Sequence, residues 1–308
     1  MLKPIICIGG ALIDELFHAH DEMLLSTTNM MTAKKSPGGV ARNIAHQLAF
    51  LQVPVQLICV FGNDVESSWM KDVCTSIGVK LDASITTKAM AGKYTGIINK
   101  DGSLFTALLS NSLDYLITPE YLQKQQSLLQ TASYILAETN LTAQAIQWII
   151  HFCNQYNIPL IIETVSVPPA KKLVNLDLNN VYMITPNEDE LFAVCNNNHS
   201  TESECINELF ERGVQNIWLH KGAQGSVLFN KNETVVLHSH KINVEDCTGA
   251  GDSSLAGWIF GKHLQKNDLD CLKIAHTLAI ETLQVDGAMA THLNPQQLLQ
   301  LASKYYEE

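Results

Sequence analysis

No C-x-x-C pair occurs among the eight cysteines, which are scattered at Cys7, Cys59, Cys74, Cys153, Cys195, Cys205, Cys247 and Cys271. Such scatter in a long chain excludes a disulfide framework. It predicts reduced, mostly buried thiols and a cytoplasmic setting. Neither the cysteines nor the histidines show the spacing of a protein-held zinc site. Basic runs are also missing. Lys and Arg number 20 against 31 Asp and Glu, for a net charge of −11. Neutralising a phosphate backbone needs clustered cations, so a nucleic-acid polymer is excluded as partner, while a small anionic substrate is not. No apolar stretch is long enough to span a membrane, and the run in MLKPIICIGG is too short for the core of a signal peptide. The segment CIGGALIDE lacks the G-x-G-x-x-G fingerprint, and no acid follows at the expected distance. A nicotinamide-dependent dehydrogenase is therefore disfavoured. Linkers rich in Pro, Gly or Ser, internal repeats and low-complexity tracts are absent. With 46% hydrophobic and 17% charged residues over 308 positions, the chain reads as one domain, 1–308, around a large core.

What is present is an alternation of short apolar runs with helical periods. Runs at 5–9, 55–62, 134–137, 159–163, 181–185 and 216–220 are apolar throughout, as strands covered on both faces are. Between them, 39–51 carries Val40, Ile44, Ala45, Leu48 and Leu51 on one helical face. Similar periods run through 65–77, 119–130, 142–156, 187–195 and 203–212. Two more strands, 226–229 and 234–238, precede helices near 250–264, 268–284 and 295–306. This order predicts an α/β fold with a doubly wound, mostly parallel sheet and helices on both faces. Residues 11–36 and 90–110 break the alternation. The second contains a hairpin turning at Asp101-Gly102. Together they predict a small β lid outside the main sheet.

Four segments carry chemistry. In DCTGAGDSSLAGWIFG, 246–261, a glycine-rich turn feeds an apolar helix. Backbone N–H groups at such a helix start converge on one spot and carry about half a positive charge, which suits phosphate oxygens. Asp252 falls in the first turn, where a carboxylate could take a hydroxyl proton. Spacing alone leaves equally open an ordinary first-turn acid favoured by the helix dipole. In SPGGVARNIAHQLAFL, 36–51, Gly38 and Gly39 allow close backbone approach and Asn43 lies near a helix start, where capping is the alternative. In ITPNEDELF, 184–192, Asn187 and Glu190 sit at a strand-turn-helix junction, and a plain capping pattern explains them as well. LHKGAQGSVLF, 219–229, is a glycine-containing hairpin.

Asp246, Cys247, Thr248, Gly249, Ala250, Gly251 and Asp252 resemble the D-T-x-G-A-G-D signature of the ribokinase-like (PfkB-type) family of sugar and nucleoside kinases, with Cys247 in place of the usual Thr. The other segments follow in the family's order, so the resemblance spans essentially the whole chain. It implies an ATP-dependent kinase in which Asp252 is the base and the backbone of Gly249, Ala250 and Gly251 is the anion hole. It implies that Gly38, Gly39 and Asn43 bind the sugar and that Asp14 accepts two of its hydroxyls. A carboxylate suits a vicinal diol, because it can accept both bonds at once. Asn187 and Glu190 match the N-x-x-E motif that organises Mg²⁺, an ion that keeps several waters and needs few protein ligands. Lys221, Gly222 and Gly225 match the hairpin beside the nucleotide, and His276 and Ala279 lie on the helix flanking the adenine. A half-buried surface histidine is the other reading of His276. Asp246 and Thr248 match a region that binds a monovalent cation in many members, which implies K⁺ activation.

Several segments resemble pseudouridine kinases: PGGVARNIAHQLAFL, LSNSLDYLITPEYL, the triplet Glu138-Thr139-Asn140, and ETVSVPPAKK at 163–172. The expected substrate is accordingly a nucleoside, pseudouridine first, phosphorylated on its 5′-hydroxyl. Ribose, adenosine or another nucleoside is the alternative, as is a nucleoside-binding regulator without catalysis. Glu138, Asn140, Ser166 and Lys171 are the candidates near sugar or base. Glu163 and Thr164 depart from the usual Asp-Pro of those kinases, and Ala41 replaces a common Gly. The lid edge could pair two chains into a homodimer.

Overall fold

Alternation along Ile5, Ile6, Cys7 and Ile8 decides the architecture. Ile5 and Cys7 join one apolar core, Ile6 and Ile8 another, and none is more than 1% exposed. A strand dry on both faces must be covered by helices on both. The computed structural model describes residues 3–196, 198–244, 248–285, 287 and 289–306. Its main sheet has eight strands. From one edge, Val55–Ile58, Ile5–Ile8, Tyr134–Glu138, Leu160–Glu163, Met183–Ile184 and Asn216–His220 run parallel. Ser226–Asn230 and Thr234–Leu237 then close the other edge antiparallel. On one face pack the helices Val40–Phe50, Ala250–His263, Asp268–Leu283 and Pro295–Tyr306, through residues such as Ile44, Trp258, Leu278 and Leu298. On the other pack Ala143–Tyr156, Glu188–Val194 and Glu202–Glu211, through Ile149, Leu191 and Leu209. The expected doubly wound fold is the observed one. Among the described residues no helix is long and apolar enough to cross a membrane, and all seven described cysteines are buried and unpaired.

The lid is a separate four-stranded sheet in the order Met31–Gly38, Leu12–Ala19, Gly92–Ile98, Leu104–Ser110. Its registers place Asp14 opposite Ser36 on one side and Tyr94 on the other. The strand Met31–Gly38 ends where the helix Val40–Phe50 begins, with Gly39 as the only residue between. The lid therefore returns directly into a body helix.

Three predicted elements differ in detail. The run 55–62 divides at Cys59, because its neighbour Ile5–Ile8 stops at the Gly9-Gly10 turn; Val60–Phe61 pairs instead with Ile85–Thr86. The helix over 119–130 divides at Gln125 into Pro119–Lys124 and Gln126–Leu129. The strand over 181–185 shrinks to Met183–Ile184.

The helix Ala250–His263 is anchored by aromatic packing. The Trp258 indole, 1% exposed, has ring centroids 6.4 Å from Tyr134, 6.1 Å from Tyr182 and 6.4 Å from Trp218. Tyr134 and Trp218 sit on strands of the sheet and Tyr182 immediately precedes the strand Met183–Ile184, so one side chain sets the height of the helix above it. Trp258→Ala is expected to lower unfolding free energy by about 3–5 kcal/mol in urea titration, and Trp258→Phe by clearly less.

Candidate active site

The parallel strands end on one side of the sheet, the usual crevice of such folds. Gly9-Gly10, Glu138, Glu163, Asn187 and His220 all lie at or just beyond those ends. The glycine turn faces them. Gly249 adopts φ 73°, a left-handed conformation that costs glycine little, and as the residue before the first helical turn it has no side chain of its own to cap it. A side chain grown from Gly251 would meet nothing within 4 Å. The first turn is thus unobstructed at Gly251, with Asp252 next to it.

Asp252 Oδ2 accepts a 2.7 Å hydrogen bond from Asn43 Nδ2. Burial pushes the Asp252 carboxyl up to about 6, against the opposing pull of the Asn43 bond and the Arg42 charge. A carboxyl held there is ionised at neutral pH yet basic enough to take a proton.

Asp14 lies against the glycine pair: a Cβ on Gly38 would fall 2.2 Å from Asp14 Oδ2, and one on Gly39 2.4 Å from the Gly10 carbonyl oxygen. Only glycine allows the lid strand, the Gly9-Gly10 turn and the Asp14 carboxylate to converge so closely. Beneath them Glu138, fully buried, accepts from the Gly10 N–H through Oε1 and from Asn140 Nδ2 at 2.8 Å through Oε2. Burial, with the nearby Asp114 carboxylate, raises Glu138 well above the usual carboxylate range. Asp114 is raised as well, by burial. Lys171 is exposed. Its neighbour Lys172 points its ammonium at the carbonyls of Thr139, Asn140 and Leu141, 2.7, 3.1 and 2.9 Å away, and faces Glu138 and Asp114 electrostatically. Ser166 is exposed at the start of the short helix Val167–Ala170. Glu163, pushed up to about 8 by burial, accepts from the Thr185 hydroxyl. Thr164, the other departure in that segment, donates to Glu190 Oε2 at 2.6 Å.

On the opposite side of Asp252 lies a cavity of about 690 Å³. Gly222, Gly225, Ala250, Gly251, His276 and Ala279 line it together with His220. His276 is buried, its Nε2 2.7 Å from Ser226 Oγ, which also accepts from Trp218 Nε1 at 2.8 Å. Burial lowers His276 to about 4 and His220 to about 3, so both are neutral. Lys221 is engaged elsewhere: its ammonium pairs with Glu202 at 2.8 Å and Glu188 at 3.4 Å. Asn187 and Glu190 form a reciprocal capping box on the helix Glu188–Val194, with Asn187 Nδ2 also 2.8 Å from Glu190 Oε1. The capping alternative is therefore realised. Among the described residues no group of three or more His, Cys, Asp or Glu could hold a metal by itself. A Mg²⁺ here would take phosphate oxygens and waters beside Glu190 and Asn187. Thr248 immediately precedes Gly249, and Asp246 lies outside the described residues.

Sequence reasoning passed over Arg42, Asp114 and Lys172. Each had a signal: an arginine in a largely apolar helix, a lone acid between Leu113 and Tyr115, and the second of two adjacent lysines.

The profile of the pfkB family of carbohydrate kinases matches residues 3–295. The pseudouridine kinase of Escherichia coli (strain K12) is 27% identical over 266 residues, covering 83% of this chain and 84% of that protein. The ribokinase of Staphylococcus aureus (strain COL) is 23% identical over 303 residues, covering 94% and 97%. The structure of Arabidopsis thaliana ribokinase complexed with ribose and ATP superposes with a TM-score of 0.86 at 21% identity, covering 98% of this chain and 99% of that one. With the match running nearly end to end and the glycine turn, acid and lid each in place, the chain belongs to the pfkB family of carbohydrate kinases, phosphotransferases acting on a small sugar or nucleoside.

Proposed function

We propose that this chain phosphorylates the primary hydroxyl of a ribosyl acceptor, free ribose or a ribonucleoside, at the expense of ATP. The observation that carries the proposal is the position of Asp252. It stands between the glycine turn with its cavity on one side and the Asp14–Gly38 contact on the other. Similarity to ribokinases over greater length supports ribose at least as well as the segment matches support pseudouridine.

In this reading Asp14 accepts two ribosyl hydroxyls and so turns the primary hydroxyl toward Asp252. Asp252 takes its proton as the oxygen attacks. The N–H groups of 249–252 stabilise the charge that grows on the phosphoryl oxygens. ATP, when bound, supplies the phosphoryl group, and the glycine-lined cavity by His220 and His276, with Lys241 on its wall, fits its base and ribose. Asn187 and Glu190 would hold Mg²⁺ through its waters, and Thr248 with Asp246 a monovalent cation. The lid excludes water and so limits idle ATP hydrolysis. Its outer strand presents Leu104, Phe105, Leu108 and Leu109, each 45–59% exposed, and this edge supports pairing with a second copy.

Asp252→Asn is expected to cut kcat by about 10²–10⁴-fold with an unchanged melting curve; full activity would remove the base from this site. Only the ionised carboxylate accepts a proton, so kcat/KM should be level above pH about 6 and fall about tenfold per unit below it. ADP release with ribose, pseudouridine, uridine, adenosine and fructose 6-phosphate, run in KCl and in tetramethylammonium chloride, identifies the acceptor. A ribosyl compound should win by at least about tenfold, with higher rates in KCl, whereas turnover of fructose 6-phosphate alone contradicts the proposal. ATP turnover with none of them would favour the non-catalytic regulator. Light scattering should report a dimer that Leu108→Lys with Leu109→Lys converts to monomer.

A further inference from the structure

Arg42 stands in the first turn of the helix Val40–Phe50 and is 0% exposed, the largest charged side chain inside the protein. Its Nε donates to the Gly38 carbonyl at 3.3 Å, and Nη2 donates to the Pro37 carbonyl at 2.5 Å and to Asn43 Oδ1. Its backbone N–H donates to the Gly10 carbonyl at 3.2 Å. Asn43 in turn donates through Nδ2 to Asp252.

A guanidinium has donors only, while a side-chain amide has one oxygen and one NH₂. The arginine must therefore face the amide oxygen, and that turns the NH₂ toward the carboxylate. With a neutral residue in place of Arg42, either face of the Asn43 amide could point at Asp252, and one of the two would set oxygen against oxygen. We propose that Arg42 is a positioning residue for phosphoryl transfer: it locks Asn43 in the one orientation that donates to Asp252 and puts a fixed positive charge behind the base. The inference rests on the reading of Asp252 as that base.

The charged surroundings agree with this. Asp252 feels Arg42 from the Val40–Phe50 helix and lies within electrostatic reach of Glu138 and Glu163 at the strand ends. The adjoining Asp268–Leu283 helix offers the uncharged Thr282 hydroxyl, 2.9 Å from Ser253 Oγ. Asp14 faces the guanidinium from the lid, and Cys59 and Cys74 from the body. Arg42 is thus the cation that faces both Asp14 and Asp252. The same guanidinium holds the last two carbonyls of the lid strand, so a purely structural brace is the alternative to be separated.

The test compares pH profiles of kcat/KM for the unaltered enzyme, Arg42→Lys and Arg42→Met, each with a thermal melt. Arg42→Met is expected to move the acid limb up by about one pH unit, since it removes a neighbouring opposite charge, and to lower kcat at least about tenfold. Arg42→Lys keeps the charge and should leave the limb near its original pH, while losing part of kcat because an ammonium lacks the planar fork. A folded Arg42→Met with an unmoved limb overturns the proposal, as does a limb that moves equally in both variants. Should Arg42→Met not fold, a cycle of Arg42→Lys with Asn43→Ala decides. Action through Asn43 requires the double variant to be no slower than Asn43→Ala alone, within about twofold, whereas multiplying losses overturn it. Full activity in Asp252→Asn would instead overturn the base assignment itself, whatever Arg42 does.

Discussion

One 2.7 Å hydrogen bond, from Asn43 to Asp252, joins segments 209 residues apart. Everything functional is arranged around it. Asn43 belongs to the helix into which the lid runs, and Asp252 to the helix that opens at the glycine turn. The two helices pack side by side on one face of the sheet, and Trp258 fixes the second against Tyr134, Tyr182 and Trp218. The base is thus held from below by aromatic packing and from the side by an amide. Neither constraint comes from a loop. A carboxylate placed on such rigid supports needs little reorganisation when a hydroxyl arrives, which is how positioning lowers a barrier.

The site has two halves of different character. The acceptor half is crowded with acids: Asp14, Asp114, Glu138, Glu163 and Asp252. Burial raises Asp114, Glu138, Glu163 and Asp252, and Arg42 and Lys172 are the cations set among them. Acids of this kind accept hydroxyl hydrogen bonds. The donor half has fewer ionised side chains. Burial keeps His220 and His276 neutral, the nearby Lys221 is taken up by Glu202 and Glu188, and Lys241 is a cation on the cavity wall. Backbone N–H groups and the helix start add their own attraction for anionic phosphates.

Much of this was legible in the residues. Helical period marked 295–306 and 142–156 to within a residue, because their apolar faces and caps are local. The glycine turn and Asp252 stood out because φ near 73° at Gly249 and an acid in the next turn are written in adjacent letters. Features set by distant partners were not legible. The break at Cys59 depends on where Ile5–Ile8 ends. The choice of Lys172 over Lys171 depends on a short 3-10 turn, Lys171–Asn175, that swings one lysine inward. Asn43 read as a ligand for a hydroxyl; its bond to Asp252 needed the packing of two helices. Arg42 was hidden because an arginine off the apolar stripe of a helix usually lets its charge reach water, and this one is enclosed.

The split of the site across the chain has a consequence for biosynthesis. The central strand Ile5–Ile8 must wait for Val55–Ile58 on one side and Tyr134–Glu138 on the other. Asn43 and Arg42 leave the ribosome some two hundred residues before the acid they serve. Until the last third of the chain emerges, the helix Val40–Phe50 has no counterpart on its face of the sheet, and the apolar strand Leu104–Ser110 is already formed or forming. Long-range parallel pairing of this kind folds slowly. A chain paired in this way exposes apolar edges before its working centre is complete, the condition in which aggregation competes with folding.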